Sequence, residues 1–258
     1  MSAGVVRGQD AIVPPLQEAL TSAAHSPAQW LEARGQLLKS ERLGVVGLVD
    51  VAGMPCYIKF FLARSAVQRL GFLLGLGRAP RAYDAGRELA AHGIPVAEPL
   101  ACLRLPRAMV LVTKAVPGAD LKTLWLSARQ GQDWPLIMSR TAVALAQLHA
   151  AGFVHGDCKW GNLLWDGEGL VLVDLDSVRQ SASPQRRGRD LARFVLNAEE
   201  LALDAEVFET FVRVYAENSG SEKAAVIKLL APSLAQLRQR HADKYGRRGA
   251  RLLENEQR

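Results

Sequence analysis

The sequence predicts an α+β fold in two lobes, a small mainly-β N-lobe and a helical C-lobe. Three observations carry this. Apolar, β-branched runs bounded by turn residues fill 35–62 and recur at 100–114, which is strand chemistry. From Pro135 the apolar residues recur at helical spacing, and helices fill the chain to about Arg240. Within this helical half lies one polar loop followed by a hairpin, Val154–Asp174, and most of the chemistry of the chain is gathered there. The expected boundaries are an N-terminal extension over 1–33, an N-lobe over 34–116, a C-lobe over 117–240 and a basic tail over 241–258.

Composition sets the limits. The chain has 258 residues, 49% of them hydrophobic, enough for a sizeable core and unlike a disordered chain. A net charge of +6 favours anionic partners such as phosphates, nucleic acid or an acidic membrane face. Nucleic acid is not an expected partner, because the basic residues are not interleaved with aromatics and no binding motif is present. Cys56, Cys102 and Cys158 are odd in number and far apart, which suggests a reducing compartment and neither a disulfide framework nor a zinc site. The first residues lack the apolar core of a signal peptide, and no stretch of about 20 apolar residues spans a membrane.

Residues 1–33 are punctuated by Pro14-Pro15 and Ser26-Pro27, with a short helix expected between them and no chemistry. Three strands follow. Gln36–Lys39 opens the first, Leu43–Val51 is the second, Ala52-Gly53 turns, and Met54–Phe61 returns. Lys59 sits inside that apolar return strand. A lysine there snorkels outward, pairs with an acid or binds an anion, because an unpaired buried ammonium is costly. The preceding turn is no G-x-G-x-x-G, so Ser40, Gly44 and Gly47 are poor candidates to cover a phosphate.

The apolar run Leu70–Leu76 is flanked by Arg64, Arg69, Arg78 and Arg81. It reads as a linker helix, or as an interfacial segment resting on anionic groups. Arg81–His92 has helical spacing and stops at Gly93 before Ile94-Pro95. Asp84 and Glu88 are four apart and share a face of that helix, so either can pair with Lys59. Strands at Leu100–Leu105 and Met109–Lys114 lead to a hinge. In a bilobal layout the hinge backbone receives the adenine edge of a nucleotide, here around Val112–Val116 with Val112 and Lys114 as the named contacts.

A helix over Ala119–Arg129 and an amphipathic one over Pro135–Ala151 deliver the central loop. His149 on the second is expected to pack or cap rather than react. The loop holds His155, Asp157, Lys159 and Asn162 at fixed offsets. Leu163–Trp165 and Leu170–Val173 form a hairpin around Asp166–Gly169, which brings Asn162 and Asp174 together. An amide oxygen and a carboxylate there can share Mg²⁺, which takes oxygen ligands and keeps waters and phosphates in its shell. Asp157 is placed to accept a proton from an attacking hydroxyl. Base, Asn and metal-binding Asp in that order make the catalytic half of a phosphotransferase with the protein-kinase fold.

After Asp174, the segment Ser177–Arg189 is short and basic and has no A-P-E. Asp190 at the head of the next helix supports the catalytic loop or is a plain N-terminal acid. Arg238, Arg240, Lys244, Arg247, Arg248 and Arg251 give a basic end, solvated or drawn to acidic lipid.

The chain resembles the lipopolysaccharide kinase (Kdo/WaaP, heptose kinase) family of the protein-kinase-like superfamily. The residues are Y-I-K-F-F around Lys59, R-E-L-A-A-H-G-I-P-V-A-E-P-L from Arg87, L-V-T-K-A-V-P-G-A-D-L from Leu111, V-H-G-D-C-K-W-G-N-L-L-W from Val154, L-V-D-L-D from Leu172 and R-D-L-A-R-F from Arg189. The resemblance runs from about Gly35 to Leu203. It implies ATP and Mg²⁺ as cofactors, with Lys59 holding phosphate and Asp157 as catalytic base. It makes Asn162 and Asp174 metal ligands and Lys159 a γ-phosphate contact. Asp176 stands where glycine is usual and can also touch metal. The acid expected opposite Lys59 falls near Ala82, so Asp84 or Glu88 must substitute. Implied too are an inner-core lipopolysaccharide sugar or another anionic glycan as partner, and a cytoplasmic place, peripheral at the inner face of the bacterial inner membrane.

The residues bear on the acceptor independently. His155-Gly156-Asp157 lacks the arginine that reads a phosphorylated activation loop, and the following segment is too short for a peptide platform. Arg179, Arg186, Arg187 and Arg189 offer fork-shaped donors to an acidic sugar, or form a solvated loop. The rival readings are a kinase of another small molecule or of a protein, and a pseudokinase scaffold.

Overall fold

In a computed structural model, which describes residues 3–8, 12–21, 23, 26–246 and 251–253, the chain divides into two units. The first runs up to Ala91 and includes Val96–Val116; the second holds His92–Pro95 and the described residues from Pro117 onward.

The first unit contains, in order, β1 (Gly4–Gly8), α1 (Val13–Thr21), α2 (Pro27–Arg34), β2 (Gly35–Glu41), β3 (Gly44–Val51), β4 (Met54–Leu62), α3 (Ala66–Leu73), α4 (Arg78–Ala91), β5 (Pro99–Leu105) and β6 (Ala108–Lys114). The strands form one antiparallel sheet in the order β1-β5-β6-β4-β3-β2. The expected turn between β3 and β4 is present. Ala52 and Gly53 both have positive φ, 54° and 80°, and Asp50 Oδ1 accepts the Gly53 N–H at 2.8 Å. This twist suits a two-residue hairpin.

One face of the sheet buries Ile58, Phe60, Leu103 and Val110 against Leu16 and Leu20 of α1 and Leu31 of α2. The other packs Phe61, Met109 and Leu111 on Ala79, Ala82 and Tyr83 of α4. Residues 1–33, expected as an extension, therefore supply an edge strand and two core helices. Nothing marked β1 in advance, because G-V-V-R-G is short and its pairing with β5 is distant in sequence. Gly47 also gains a reason. A Cβ there would meet the Gln36 carbonyl at 2.6 Å and Leu31 at 2.8 Å, so this glycine lets α2 lie on the sheet.

The second unit contains β7 (Ala119–Asp120), α5 (Leu121–Ala128), α6 (Trp134–Ala150), β8 (Phe153–Val154), β9 (Leu163–Trp165), β10 (Leu170–Leu172), β11 (Arg179–Gln180), α7 (Pro184–Glu200), α8 (Ala205–Ser219) and α9 (Lys223–Tyr245). Asp120 caps α5, accepting from Lys122 and Thr123 N–H at 3.1 Å each. Aromatic rings bind the helices together. Trp160 stacks on Trp134, and Phe194 of α7 stacks on Phe211 of α8. The helical part continues past Arg240 to Tyr245, and Arg238 is no part of a loose basic end. Its guanidinium is buried on Glu199 of α7 and also donates to the Leu253 carbonyl at 2.6 Å. Arg247 and Arg248 lie outside the described residues.

Candidate active site

The second unit holds the catalytic loop and the hairpin. β9 and β10 pair in the expected register, Leu163 opposite Leu172 and Trp165 opposite Leu170. The turn is fastened by Asp166, whose Oδ1 accepts from Glu168 and Gly169 N–H at 2.9 and 2.8 Å. Val173 N–H then donates to the Asn162 carbonyl at 3.1 Å, which places the residue before Asp174 beside Asn162. Asp174 itself is left-handed, φ 58° and ψ 53°, and heads a 3₁₀ turn that contains Asp176. A non-glycine residue in that region is uncommon and turns the chain sharply at this carboxylate.

Asp157 is the most heavily engaged side chain of the loop. Its Oδ2 accepts from Lys159 Nζ at 2.9 Å and from Asn162 Nδ2 at 3.2 Å, and its Oδ1 is gripped by the Arg193 guanidinium. Burial alone would push its carboxyl up. The hydrogen bond and charge of Lys159, the charge of Arg193 and the Asn162 amide outweigh that and hold it below the usual carboxylate range. It is ionised at neutral pH, the state a general base needs. The Asn162 amide nitrogen also donates to the Asp157 carbonyl at 2.9 Å. That commits Nδ2 to Asp157, so Oδ1 is the atom of this side chain that could hold a metal.

One face of α7 holds this loop from behind. Asp190, 2% exposed, accepts from the His155 N–H at 2.6 Å and from the Gly156 N–H at 2.9 Å. Arg193 takes Asp157, and Asn197 Oδ1 accepts from the Trp160 N–H at 3.0 Å. Positions three and four apart on a helix share a face, so 190, 193 and 197 meet the loop in succession. Of the two readings of Asp190, the supporting one holds. Arg193 and Asn197 were missed in the sequence. The signal was there as three polar residues at that spacing in a helix otherwise buried on the same side.

The other loop residues follow from packing. Gly156 has φ 78°, and a Cβ would come within 2.6 Å of the Ser177 carbonyl, so no side chain fits where the arginine of regulated kinases would stand. His155 is fully buried, with Nε2 3.1 Å from the Val173 carbonyl, which ties loop to hairpin. His149 packs, as expected, with Nδ1 2.7 Å from the Tyr215 hydroxyl. Burial, with Asp190 nearby, raises that phenol to about 12, so it stays protonated.

The first unit holds the remaining candidates. Lys59 is half-buried in β4, opposite Val46 and Leu111, with Nζ 4.9 Å from the Phe61 ring centre. The two helix acids separate. Asp84 accepts from Arg7 of β1 at 3.0 and 3.4 Å, a partner the sequence did not suggest, whereas Glu88 stands exposed one turn on. Val112 does not belong to a hinge. It is paired to Ile58 on one side and Ala101 on the other, so its backbone is spent in the sheet. Lys114 N–H is spent on the Glu98 carbonyl and Ala115 N–H on the Pro55 carbonyl, each at 2.9 Å.

The donors fit Mg²⁺ held with nucleotide. Asn162, Asp174 and Asp176 offer only oxygen, and no cluster of three or more His, Cys, Asp or Glu suited to a metal occurs among the described residues. So partial a set suits an ion that keeps waters and phosphates as its other ligands.

Among curated proteins none matches. Among solved structures, the chain is similar to WbdD in complex with the kinase inhibitor LY294002, at 19% identity and a TM-score of 0.49 over 76% of this chain. It is similar to the BubR1 kinase domain at 14% identity and a TM-score of 0.44 over 56%. It spans less than half of either, 44% and 46% of their lengths. The model of the lipopolysaccharide kinase (Kdo/WaaP) family matches residues 30–215, and the chain belongs to that family.

Proposed function

We propose that this kinase transfers the γ-phosphoryl group of ATP to a sugar hydroxyl of the lipopolysaccharide inner core, on Kdo or heptose. The observation that carries the reading is an ionised Asp157 carboxylate aimed by Asn162, in a loop whose amides are held by Asp190. Asp157 takes the proton of the acceptor hydroxyl as its oxygen bonds to the γ-phosphorus. The bond from that phosphorus to the β-bridging oxygen breaks, and ADP leaves. Lys159 turns from Asp157 to the transferring phosphoryl group. Lys59 holds the α- and β-phosphates, and Glu88 is its partner acid, since Asp84 is held by Arg7. Asn162 Oδ1 and the carboxylates of Asp174 and Asp176 would hold Mg²⁺. When bound, that ion neutralises charge on the phosphates. The adenine edge meets backbone beyond Ala115, because Val112 and Lys114 have spent their N–H groups in the sheet. ATP as co-substrate suits a reaction in the cytoplasm, at the inner face of the membrane that carries the acceptor.

The test is transfer of labelled phosphate from Mg-ATP to dephosphorylated lipopolysaccharide core, beside Asp157→Ala. Label on the sugar that disappears in Asp157→Ala is the expected result. Label on an aminoglycoside or a protein instead, with the core unlabelled, overturns the acceptor. ATP bound without transfer to any acceptor overturns the enzyme.

A further inference from the structure

α3 is a helix with no buried residue that nevertheless is fastened at both ends. Ser65 caps its start, Oγ accepting from the Gln68 N–H at 3.2 Å, and Gln68 Oε1 reaches back to the Arg64 N–H at 2.7 Å. Its end is a Schellman motif. Gly75, φ 69°, donates to the Phe72 carbonyl at 3.0 Å, and Leu76 N–H to the Gly71 carbonyl at 2.8 Å. Arg104 adds a bond from Nη1 to the Leu73 carbonyl at 2.7 Å. So short a helix would not persist on propensity alone. Here it is held in shape while presenting aliphatic side chains to solvent.

Those side chains are Val67, Leu70, Leu73, Leu74 and Leu76, each between 58% and 79% exposed. The first four, at i, i+3, i+6 and i+7, share one helix face. An apolar patch of this extent on a soluble surface marks a contact site. Charge selects the occupant. Arg64, Arg69, Arg78 and Arg81 are all exposed, and no acid lies between Ala63 and Tyr83. A second copy would bring the same cations against these, so self-association is disfavoured. The face carries no aromatic anchor and no polar pattern to read a folded partner's shape. It suits fluid acyl chains under an anionic surface.

We propose that the aliphatic face of α3 inserts into the interfacial region of an anionic bilayer, with the surrounding arginines on the headgroups. It is a docking surface that uses none of the residues assigned above to nucleotide, metal or the proton transfer. It needs no phosphoryl transfer, so its test and that of the kinase reading fail independently.

The test is co-sedimentation of the full chain with vesicles of phosphatidylcholine plus phosphatidylglycerol, and with phosphatidylcholine alone. Binding is expected only to the anionic vesicles. It should weaken in salt, as the screening length falls from about 10 Å at 0.1 M to about 3 Å at 1 M. Each buried methylene is worth a factor of about four. Leu70→Ser with Leu73→Ser removes about six such carbons and should therefore lower affinity about a thousandfold or more, with folding unchanged because neither leucine is packed in the core. Arg64→Ser with Arg69→Ser should lower it about thirtyfold. Absence of vesicle binding by the wild type, or equal binding by the leucine variant, overturns the proposal. So does a dimer that the leucine substitutions dissolve, or an acidic protein that occupies the face while vesicles do not.

Discussion

Asp190→Ala should loosen the catalytic loop from the helix behind it. Asp190 is buried, and its two oxygens accept the His155 and Gly156 N–H groups at 2.6 and 2.9 Å. Bonds to a charged acceptor are worth about 1.5–3 kcal/mol each, so their simple sum is about 3–6 kcal/mol. Part is returned, because the substitution also removes a buried carboxylate and its desolvation cost, and we expect the low end, about 3 kcal/mol. Asp190→Asn keeps the volume but sets an NH₂ against one of the two N–H donors, so it should lose a similar amount without a cavity. Urea unfolding followed by tryptophan fluorescence reads the loss directly, since Trp160 follows the loop and packs on Phe194. Turnover should fall by at least tenfold in both variants, through the position of Asp157 and not through ATP binding. Stability within about 1 kcal/mol of wild type in both, with turnover retained, would refute the idea that α7 holds the loop in place.

Three further outcomes follow from the same geometry. The lowered pKa of Asp157 puts the acid limb of kcat/KM below the ordinary carboxylate range, and Arg193→Met, which removes one of the charges holding it down, should move that limb up toward that range. The sign for stability is the depressed-carboxylate one. What the paired Asp157 contributes is present above its unfolded pKa and is lost as pH falls through the folded one, so the gap between wild type and Asp157→Asn in urea midpoint should close in acid. Gly156→Ala should cost about 1–2 kcal/mol for the left-handed backbone, and more for the Cβ set 2.6 Å from the Ser177 carbonyl, measurable as a lowered midpoint with loss of turnover.

The hairpin and loop could be read from sequence because their determinants are local. D-G-E-G fixes the turn, the turn fixes the register, and the register brings Asn162 beside Val173. The same holds for β3 and β4, whose Ala52-Gly53 turn sets Lys59 opposite Val46. What escaped the reading depends on pairing at a distance. β1 finds its place only by lying on β5, and Arg7 only then meets Asp84. Val112 looked like a hinge because a Pro-Gly follows soon after it, yet neighbours on both sides hold it in the sheet, and that is invisible in one strand's own sequence. Arg193 and Asn197 look like polar positions of a long helix until the loop they touch is folded against them.

Contacts within the fold hold the catalytic loop in order. In a regulated kinase an arginine before the base waits for a phosphate on a long activation segment. Here Gly156 occupies that place with a backbone that admits no side chain. After Asp174 the chain returns at once. Val178 N–H closes a turn on the Leu175 carbonyl at 3.1 Å, Arg179 and Gln180 pair with Val154 and Phe153, and Ser181 N–H donates to the Gly152 carbonyl at 2.7 Å. The segment is thus tied to the strand that enters the catalytic loop. The charge that a phosphate and its arginine would supply from outside comes from α7, where Asp190 holds the loop amides and Arg193 holds Asp157. A loop so fastened is held in order by contacts within the fold, with no phosphate among them.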